Sequence, residues 1–167
     1  MSYVILQLAV SLDGYISRKD HTVDFLEEMN PALSESFHKF LSSIDTIIMG
    51  SKTYEVMLGF GDIPFQDKTI YVLTNKQYES KYDFVHFSSK KIKTLLNEIE
   101  GTIWLFGGSS VIQSFINEDL IDEFIIHYVP HIIGDGIPLF LNSKELKNLT
   151  LVAHEQFGNS LTVTYKR

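Results

Sequence analysis

Three short polar segments of the sequence are of the kind that bind phosphate. Gly107-Gly108-Ser109-Ser110, Gly50-Ser51-Lys52-Thr53 and Leu73-Thr74-Asn75-Lys76 each end an apolar run. Where a strand meets a helix, unpaired backbone N–H groups and the helix dipole attract an anion, and glycine lets it approach closely. Each segment has a structural alternative, a tight turn with positive φ for the glycine pair and a helix cap with a solvated lysine for the second. Together the three predict an extended phosphate-bearing ligand, such as a dinucleotide, across the strand ends.

Motifs that would define a nucleotide or ester site more narrowly are absent from the sequence. It contains no G-x-G-x-x-G fingerprint, no G-x-x-x-x-G-K-[ST] phosphate loop and no G-x-S-x-G nucleophile elbow. A standard Rossmann domain, a P-loop enzyme and an α/β-hydrolase are therefore excluded.

The amino-acid composition argues against several further classes of site and partner. The 167 residues carry a net charge of −7, contain no cysteine and include only two arginines, Arg18 and Arg167. Without cysteine there is no disulfide, thiolate metal site or cysteine nucleophile. The acidic balance argues against nucleic-acid binding, which requires a positive surface. Two arginines leave little for bidentate clamps on phosphate or carboxylate.

Length and hydropathy predict one domain and no membrane segment. A chain of this size suits a single domain, residues 1–167, and is short for two. No apolar run approaches the ~20 residues of a membrane helix. The apolar start, residues 1–10, lacks a basic leader and is interpreted as a buried strand rather than a signal peptide. We therefore expect a cytoplasmic protein.

Two side chains of the first predicted helix are candidates for the acceptor side of a reaction. The helix begins at Asn30-Pro31, a cap followed by a proline. Its apolar stripe consists of Leu33, Phe37, Phe40, Leu41 and Ile44. At about 100° per residue, Ser34 and His38 fall together on one flank of that stripe. Glu35 falls on the far side, where a solvated carboxylate is expected.

Two aspartates and two histidines are further polar candidates. Asp13 is either a catalytic carboxylate or part of a turn with Gly14, and Asp24 is either catalytic or a helix or loop cap. His127 and His131 have H-x-x-x-H spacing, but Pro130 lies between them and no third ligand is evident. We therefore expect no metal site.

Strands and helices alternate along the chain, which predicts a largely parallel sheet with helices on both faces. Eight strands are predicted, at residues 3–10, 46–49, 69–73, 84–87, 102–106, 124–129, 149–155 and 161–165. Helices are predicted from Asn30-Pro31, from Ser51 as cap through about Leu58, after Ser88 or Ser89 as cap, and over Val111 to Ile116. Gly158-Asn159 marks the last two strands as an antiparallel hairpin. Such sheets bind ligands beyond the carboxyl ends of their strands.

A series of motifs in fixed order resembles the dihydrofolate-reductase-like superfamily, especially the reductase domain of the bacterial bifunctional riboflavin-biosynthesis protein. These motifs are VSLDGYI at 10–16, VDF at 23–25, IMGSKTY at 48–54, YVLTNK at 71–76, LFGGS at 105–109 and LIDEF at 120–124, running on through Pro130 to GDGIPLF at 134–140. The resemblance covers nearly the whole chain. It implies a three-layer α/β/α fold, with a mostly parallel eight-stranded sheet, an antiparallel C-terminal hairpin and four flanking helices.

The same resemblance implies that NADPH binds across the strand ends. The matching positions are Gly50, Ser51, Lys52 and Thr53 for the cofactor phosphates, Thr74, Asn75 and Lys76 near the adenine ribose and its 2′-phosphate, and Gly107, Gly108, Ser109 and Ser110 for the pyrophosphate. The segment from Ala9 to Gly14 would border the nicotinamide. Lys52 and Lys76 favour NADPH over NADH, because the extra phosphate needs positive charge nearby.

The sequence also departs from these relatives. Ser34 stands where dihydrofolate reductases, which this chain resembles, carry an acid that helps to protonate the pterin, and no arginine is available for the folate tail. The riboflavin enzyme's other half is a zinc deaminase with H-x-E and P-C-x-x-C signatures, which a chain without cysteine does not contain.

The sequence thus predicts an NADPH-dependent reductase that transfers hydride to a small heterocyclic or ribosylamino substrate, with Ser34, His38 and Asp13 as catalytic candidates. It would resemble the 5-amino-6-(5-phosphoribosylamino)uracil reductase of riboflavin biosynthesis. The alternatives are a divergent dihydrofolate reductase and a nucleotide-binding module without turnover. By resemblance a homodimer is expected, and no nucleic-acid or membrane partner.

Overall fold

Strands and helices alternate in the computed structural model, which describes residues 1–26, 30–143 and 145–167. Its strands are β1 (Ser2–Val10), β2 (Tyr15–Ser17), β3 (Thr46–Gly50), β4 (Thr69–Leu73), β5 (Val85–Ser88), β6 (Gly101–Gly107), β7 (Glu123–Tyr128), β8 (Ile137–Pro138), β9 (Thr150–Phe157) and β10 (Ser160–Lys166). Its helices are α1 (Pro31–Ser42), α2 (Ser51–Gly59), α3 (Ile92–Leu96) and α4 (Ser109–Asn117). Within these ranges no helix is long and apolar enough to span a bilayer.

The main sheet has eight strands in the order β5-β4-β3-β6-β1-β7-β10-β9. Six neighbouring strands, from β5 to β7, run parallel, and β10 and β9 form the antiparallel hairpin that Gly158-Asn159 predicts. Parallel neighbours require crossover connections, which the helices largely supply. The predicted fold class is thereby confirmed.

Each face of the sheet packs against its own pair of helices. The face that carries Leu6 and Leu105 packs against α3 and α4. The opposite face, with Ile47 and Trp104, packs against α1 and α2. Side chains of a strand alternate between faces, so neighbours in one strand serve two different cores.

Helix α1 begins as its sequence predicts. Asn30 accepts the backbone N–H of Leu33 at 2.9 Å, and Pro31 is the first helical residue. Of the predicted stripe, Phe37, Phe40, Leu41 and Ile44 join the apolar cluster on this face, whereas Leu33 is not part of it. No residue of α1 is fully buried, so this helix leaves part of the sheet face uncovered.

Two local predictions were wrong, and one small sheet was missed. Ser51 does not cap α2, because β3 runs directly into the helix and Gly50 takes the cap position. Neither Ser88 nor Ser89 caps α3, which begins later with Lys91 as its cap. The Ser88 hydroxyl instead accepts the backbone N–H of Lys90 in a turn. The two-stranded sheet of β2 and β8 was not anticipated, because strands of two and three residues leave no periodic signal.

Candidate active site

The three predicted phosphate segments lie side by side along one edge of the sheet. They follow β4, β3 and β6, which are adjacent strands. In the strand register Gly50 pairs with Leu73, and Met49 pairs with Gly107. The carboxyl ends of the three strands are therefore level, and their polar segments form one continuous edge.

Glycines let the β3–α2 and β6–α4 junctions touch. A Cβ atom on Gly50 would lie 3.0 Å from Cγ2 of Val111, and one on Gly108 would lie 3.4 Å from Oγ1 of Thr53. Gly107 has a φ of 120° and is joined to Gly108 by a cis peptide bond. The positive φ agrees with the tight-turn alternative, and the close approach leaves backbone rather than side chain at the edge. We call the backbone that these two closely packed junctions leave at the edge the cradle.

The two serines at the start of α4 are placed differently. Ser109 is buried, and its hydroxyl donates to the carbonyl oxygen of Pro138 in β8. Its side chain is therefore engaged with protein, and only its backbone N–H is available to an anion. Ser110 is exposed in the first turn. The first N–H groups of a helix have no acceptor within it, so this end of α4 offers donors.

The segment after β4 forms a turn that presents its last two residues to solvent. Thr74 donates its backbone N–H to Ser88 at 2.9 Å, and its hydroxyl accepts the N–H of Lys76 at 3.1 Å. Asn75 and Lys76 are exposed, as is Lys52 across the edge on α2. Two lysines therefore flank the edge, as the sequence indicates.

Tyr78 and Glu55 also lie at this edge, and sequence reasoning missed them. The Tyr78 hydroxyl donates to Oε1 of Glu55 at 2.6 Å, while its ring stacks on Phe87 with centroids 4.9 Å apart. The Tyr78 hydrogen bond, followed by the positive charges of Lys76 and Lys52, lowers the pKa of the Glu55 carboxyl. The sequence held one signal for Glu55: it follows Ser51 by one helical turn, so the two side chains are neighbours on the same face of α2.

Beside this edge, the centre of the sheet is only partly covered on the α1 face, at Gln7 and Ala9 of β1, and we call this region the groove. On β1, Leu6 and Val10 face the opposite core and are fully buried. Gln7 and Ala9 face α1 and are only half-buried, although β1 has a strand on either side. A central strand keeps such exposure only where the helix above leaves it open.

Aromatic rings line the groove around Trp104. They belong to Phe37, Phe40, Phe65 and Phe106, with centroids 5.7, 5.3, 5.5 and 4.7 Å from that of Trp104. The indole N–H donates to the backbone carbonyl of Gln7 at 2.9 Å, which fixes the ring against β1. All four phenylalanines are half-buried. A flat heterocycle suits such a lining, because aromatic pairs stack or meet edge to face.

Ser34 and His38 lie on α1, the helix that borders the groove. Ser34 is half-buried and His38 is exposed. Glu35 points away and pairs with Lys39 at 2.8 Å, which lowers the pKa of Glu35 and fits the solvated carboxylate that the sequence predicts. The roles of Ser34 and His38 stay predictions.

Both candidate aspartates are held by other protein groups. Asp13 accepts the Ser11 hydroxyl at 2.6 Å and the backbone N–H groups of Gly134 at 2.8 Å and Ile133 at 3.2 Å. These bonds, the one from Ser11 above all, lower the pKa of Asp13 and support its turn-forming alternative. Asp24 pairs with Arg18 at 2.5 Å, which lowers its pKa. Neither carboxyl is held in the protonated form that an acid catalyst needs.

A cavity of about 380 Å³ opens just beyond the ends of β1 and β7. It is lined by Arg18, Asp24, Phe25, Leu26, His131, Ile132 and Ile133. Arg18 provides a guanidinium group at this end of the molecule, and that group is paired with Asp24. Asp24 lines this cavity with an exposed carboxylate that is paired with Arg18.

His127 is a second site residue whose position the sequence did not reveal. It is buried on β7, in register with Ala9 of β1. Its Nδ1 lies 2.8 Å from Oγ1 of Thr162. His127 and Thr162 are cross-strand partners of β7 and β10, a pairing that depends on register and not on local pattern. In the described part of the chain no three His, Asp or Glu side chains gather as a metal site would require.

The sheet order, the flanking helices and the polar edge define a dihydrofolate-reductase-like α/β protein. Residues 62–163 match the model of the RibD C-terminal domain, and the chain belongs to that family. It is 35% identical over 168 residues to YwjB, an uncharacterized protein of Bacillus subtilis strain 168, covering 98% of this chain and 97% of YwjB. YyaP of the same strain is 33% identical over 175 residues, covering 95% and 90% of the two chains.

Solved structures agree with this assignment. A protein of Shewanella sp. PV-4, provisionally named for riboflavin biosynthesis, matches with a TM-score of 0.89 at 28% identity, over 99% of this chain and 98% of that one. The bifunctional deaminase and 5-amino-6-(5-phosphoribosylamino)uracil reductase of Thermotoga maritima matches at 0.76 and 16% identity, over 99% of this chain and 56% of its own. Dihydrofolate reductase of Enterococcus faecalis, solved with NADP(H), matches at 0.71 and 21% identity, over 99% and 96%. The last two show the fold alone. Family and fold are those of reductases.

Proposed function

We propose that the protein is an NADPH-dependent reductase that transfers hydride to a C=N or C=O bond of a small heterocyclic or ribosylamino substrate. One observation carries the proposal: three phosphate-type segments form one edge, and that edge adjoins an aromatic groove on the α1 face. A dinucleotide along the edge would bring its reactive end to Ala9, beside the groove. A single-phosphate ligand would not need three segments.

The residues of the edge fit such a cofactor. Glycine at positions 50 and 108 lets the two junctions pack against each other, which would leave backbone N–H groups at the edge for a pyrophosphate. Donors at the start of α4 and the lysines at positions 52 and 76 supply positive potential. When bound, NADPH would supply the hydride, and the protein's part is to bind, orient and exclude water.

The groove residues would orient the acceptor. Phe37 and Phe106 would stack against a flat ring, and Ala9, with no side chain beyond Cβ, would leave space for face-to-face approach of the reacting carbons. As hydride adds to carbon, the nitrogen or oxygen of the acceptor takes a proton. The α1 flank with Ser34 and His38 is the proposed source of that proton, because Asp13 and Asp24 are held as ionised carboxylates.

The substrate class is proposed from the family, and it would resemble the uracil reductase substrate of riboflavin biosynthesis. A divergent dihydrofolate reductase is less well supported, since Ser34 replaces an acid. The engagement of both aspartates favours a second candidate, a nucleotide-binding module without turnover. The homodimer and the cytoplasmic location stay predictions.

Titration of NADPH against the fluorescence of Trp104 tests the proposal. Binding should change the emission, and Lys52→Met should weaken NADPH about fivefold, as expected for loss of one screened charge contact. Lys39→Met, which removes a lysine on the far side of α1, is the matched control. Absence of binding at millimolar NADPH would refute the reductase and the binding module together.

Turnover separates the two remaining candidates. NADPH oxidation is followed with pterins, pyrimidines and ribosylamines as acceptors. Oxidation that falls in Ser34→Ala or His38→Ala, with NADPH binding unchanged, supports the reductase and the roles of these residues. Binding without oxidation of NADPH across the panel would leave the binding module. Oxidation with dihydrofolate alone would identify the divergent dihydrofolate reductase.

A further inference from the structure

The adenosine end of the proposed cofactor edge contains a carboxylate as well as its lysines. Glu55 lies on α2, one turn beyond Ser51, and is exposed. Tyr78 lies two residues beyond Lys76 on the segment after β4. The hydrogen bond from the Tyr78 hydroxyl to Glu55, 2.6 Å long, joins the α2 side of the edge to the β4 side.

Tyr78 holds this carboxylate in one place. Its ring stacks on Phe87 at 4.9 Å with an angle of 13° between planes, and Phe87 in turn meets Tyr54 edge to face at 5.4 Å. Tyr54 is buried in the core. The hydroxyl that binds Glu55 is therefore anchored to the core through two aromatic contacts.

The negative charge of Glu55 lies near the positive charges of two lysines. Lys52 and Lys76 are close enough to act on its ionisation. A ribose 2′-hydroxyl donates well to a carboxylate, whereas a 2′-phosphate is repelled by it and attracted by lysine. Lys52 precedes Glu55 by one turn of α2, and Lys76 lies two residues before Tyr78, so a carboxylate and two lysines share this end of the edge. Together they would affect the two forms of a dinucleotide in opposite directions.

We propose that Glu55, positioned by Tyr78, sets the preference of this protein between dinucleotides with and without a 2′-phosphate. Glu55 favours the 2′-hydroxyl and moderates the preference for the 2′-phosphate that Lys52 and Lys76 create. The inference rests on the proposed function only in placing the adenosine end of a dinucleotide at this edge. Tyr78 is a positioning residue, since it acts through Glu55.

Calorimetric titration with four probes tests the proposal: NADPH, NADH, 2′,5′-ADP and 5′-ADP. The two short probes carry the adenosine end alone. Glu55→Gln should raise the ratio of NADPH to NADH affinity about fivefold, and the ratio of the ADP pair equally. The shift should shrink at 0.5 M salt, because exposed charges are screened. Tyr78→Phe, which keeps the ring on Phe87, should shift both ratios in the same direction by a smaller factor.

Glu35→Gln is the matched control, since Glu35 is also an exposed helical carboxylate paired with a lysine. It should leave both ratios unchanged. An unchanged ratio in Glu55→Gln, or an equal shift in Glu35→Gln, would overturn the inference. If Glu55→Gln shifts both ratios as expected but wild-type protein never oxidises NADPH, the reductase is refuted and the inference about Glu55 stands. Failure of wild type to bind any of the four probes would refute both.

Discussion

Ser109, at the first turn of α4, donates its hydroxyl to the carbonyl oxygen of Pro138 in β8. The bond ties the proposed pyrophosphate cradle to the small sheet of β2 and β8, which lies across the loop that follows β1. Ser109, which was expected to lie near a phosphate, therefore uses its hydroxyl to stabilise the fold. Its side chain holds two parts of the edge together.

Ser109→Ala should lower the free energy of unfolding by about 1–2 kcal/mol, because the carbonyl of Pro138 loses its donor. NADPH affinity should change less than about twofold, since the backbone N–H remains. Urea unfolding and calorimetry measure the two effects, and the exposed Ser110→Ala is the control. A large loss of affinity with unchanged stability would show instead that the hydroxyl serves the ligand.

Gly50→Ala should destabilise the protein by about 1–3 kcal/mol, because its Cβ would lie 3.0 Å from Cγ2 of Val111. The double variant with Val111→Ala should recover part of that loss, since it removes the opposing methyl group. Thermal and urea unfolding of the single and double variants form a mutant cycle. Strictly additive effects would mean that the two residues do not meet.

The carboxylate of Asp13 should make stability depend on acid pH. Its pKa in the folded protein lies below the ordinary value of 3.8, so its contribution is complete above about pH 4 and is lost as pH falls further. Asp13→Asn should be less stable than wild type at pH 7, and the difference should narrow below pH 4. Urea midpoints from pH 7 to 3 measure this, with the exposed Asp83→Asn as a control of equal charge. A difference that is constant with pH would contradict the assignment.

The outer strand β9 should form the contact of the expected homodimer. Seven of its eight residues are exposed, including Leu151 and Val152 at 50% each. Leu151→Glu should convert a dimer to a monomer in light-scattering chromatography, because a buried charge without a partner is costly. Leu146→Glu, at an exposed position outside the strand, should leave the mass unchanged. A wild-type monomer, or a Leu151→Glu dimer, would contradict the prediction.

The fold and the alignment of the three polar segments along one edge could be predicted from the sequence because both depend on local pattern. Apolar runs ending in Gly50, Leu73 and Gly107 marked three strands, and parallel strands align their ends. The Tyr78–Glu55 bond joins residues 23 positions apart, and the contact of His127 with Thr162 depends on the pairing of β7 with β10. Such contacts follow from tertiary register, which periodicity does not encode. The hydrogen bond from Ser109 to Pro138 depends on tertiary packing in the same way.

The position of β1 in the sheet has a consequence for how the chain is made. It precedes the other strands in the chain, yet its two neighbours are β6 and β7, whose residues begin at 101 and 123. Until β6 is complete at residue 107, β1 has no strand on either side, and its second neighbour is complete only at residue 128. The order of the sheet therefore makes folding a late event in synthesis, dominated by long-range pairing and correspondingly slow. Fragments that end before residue 101 would leave β1, with its apolar side chains, without either neighbour.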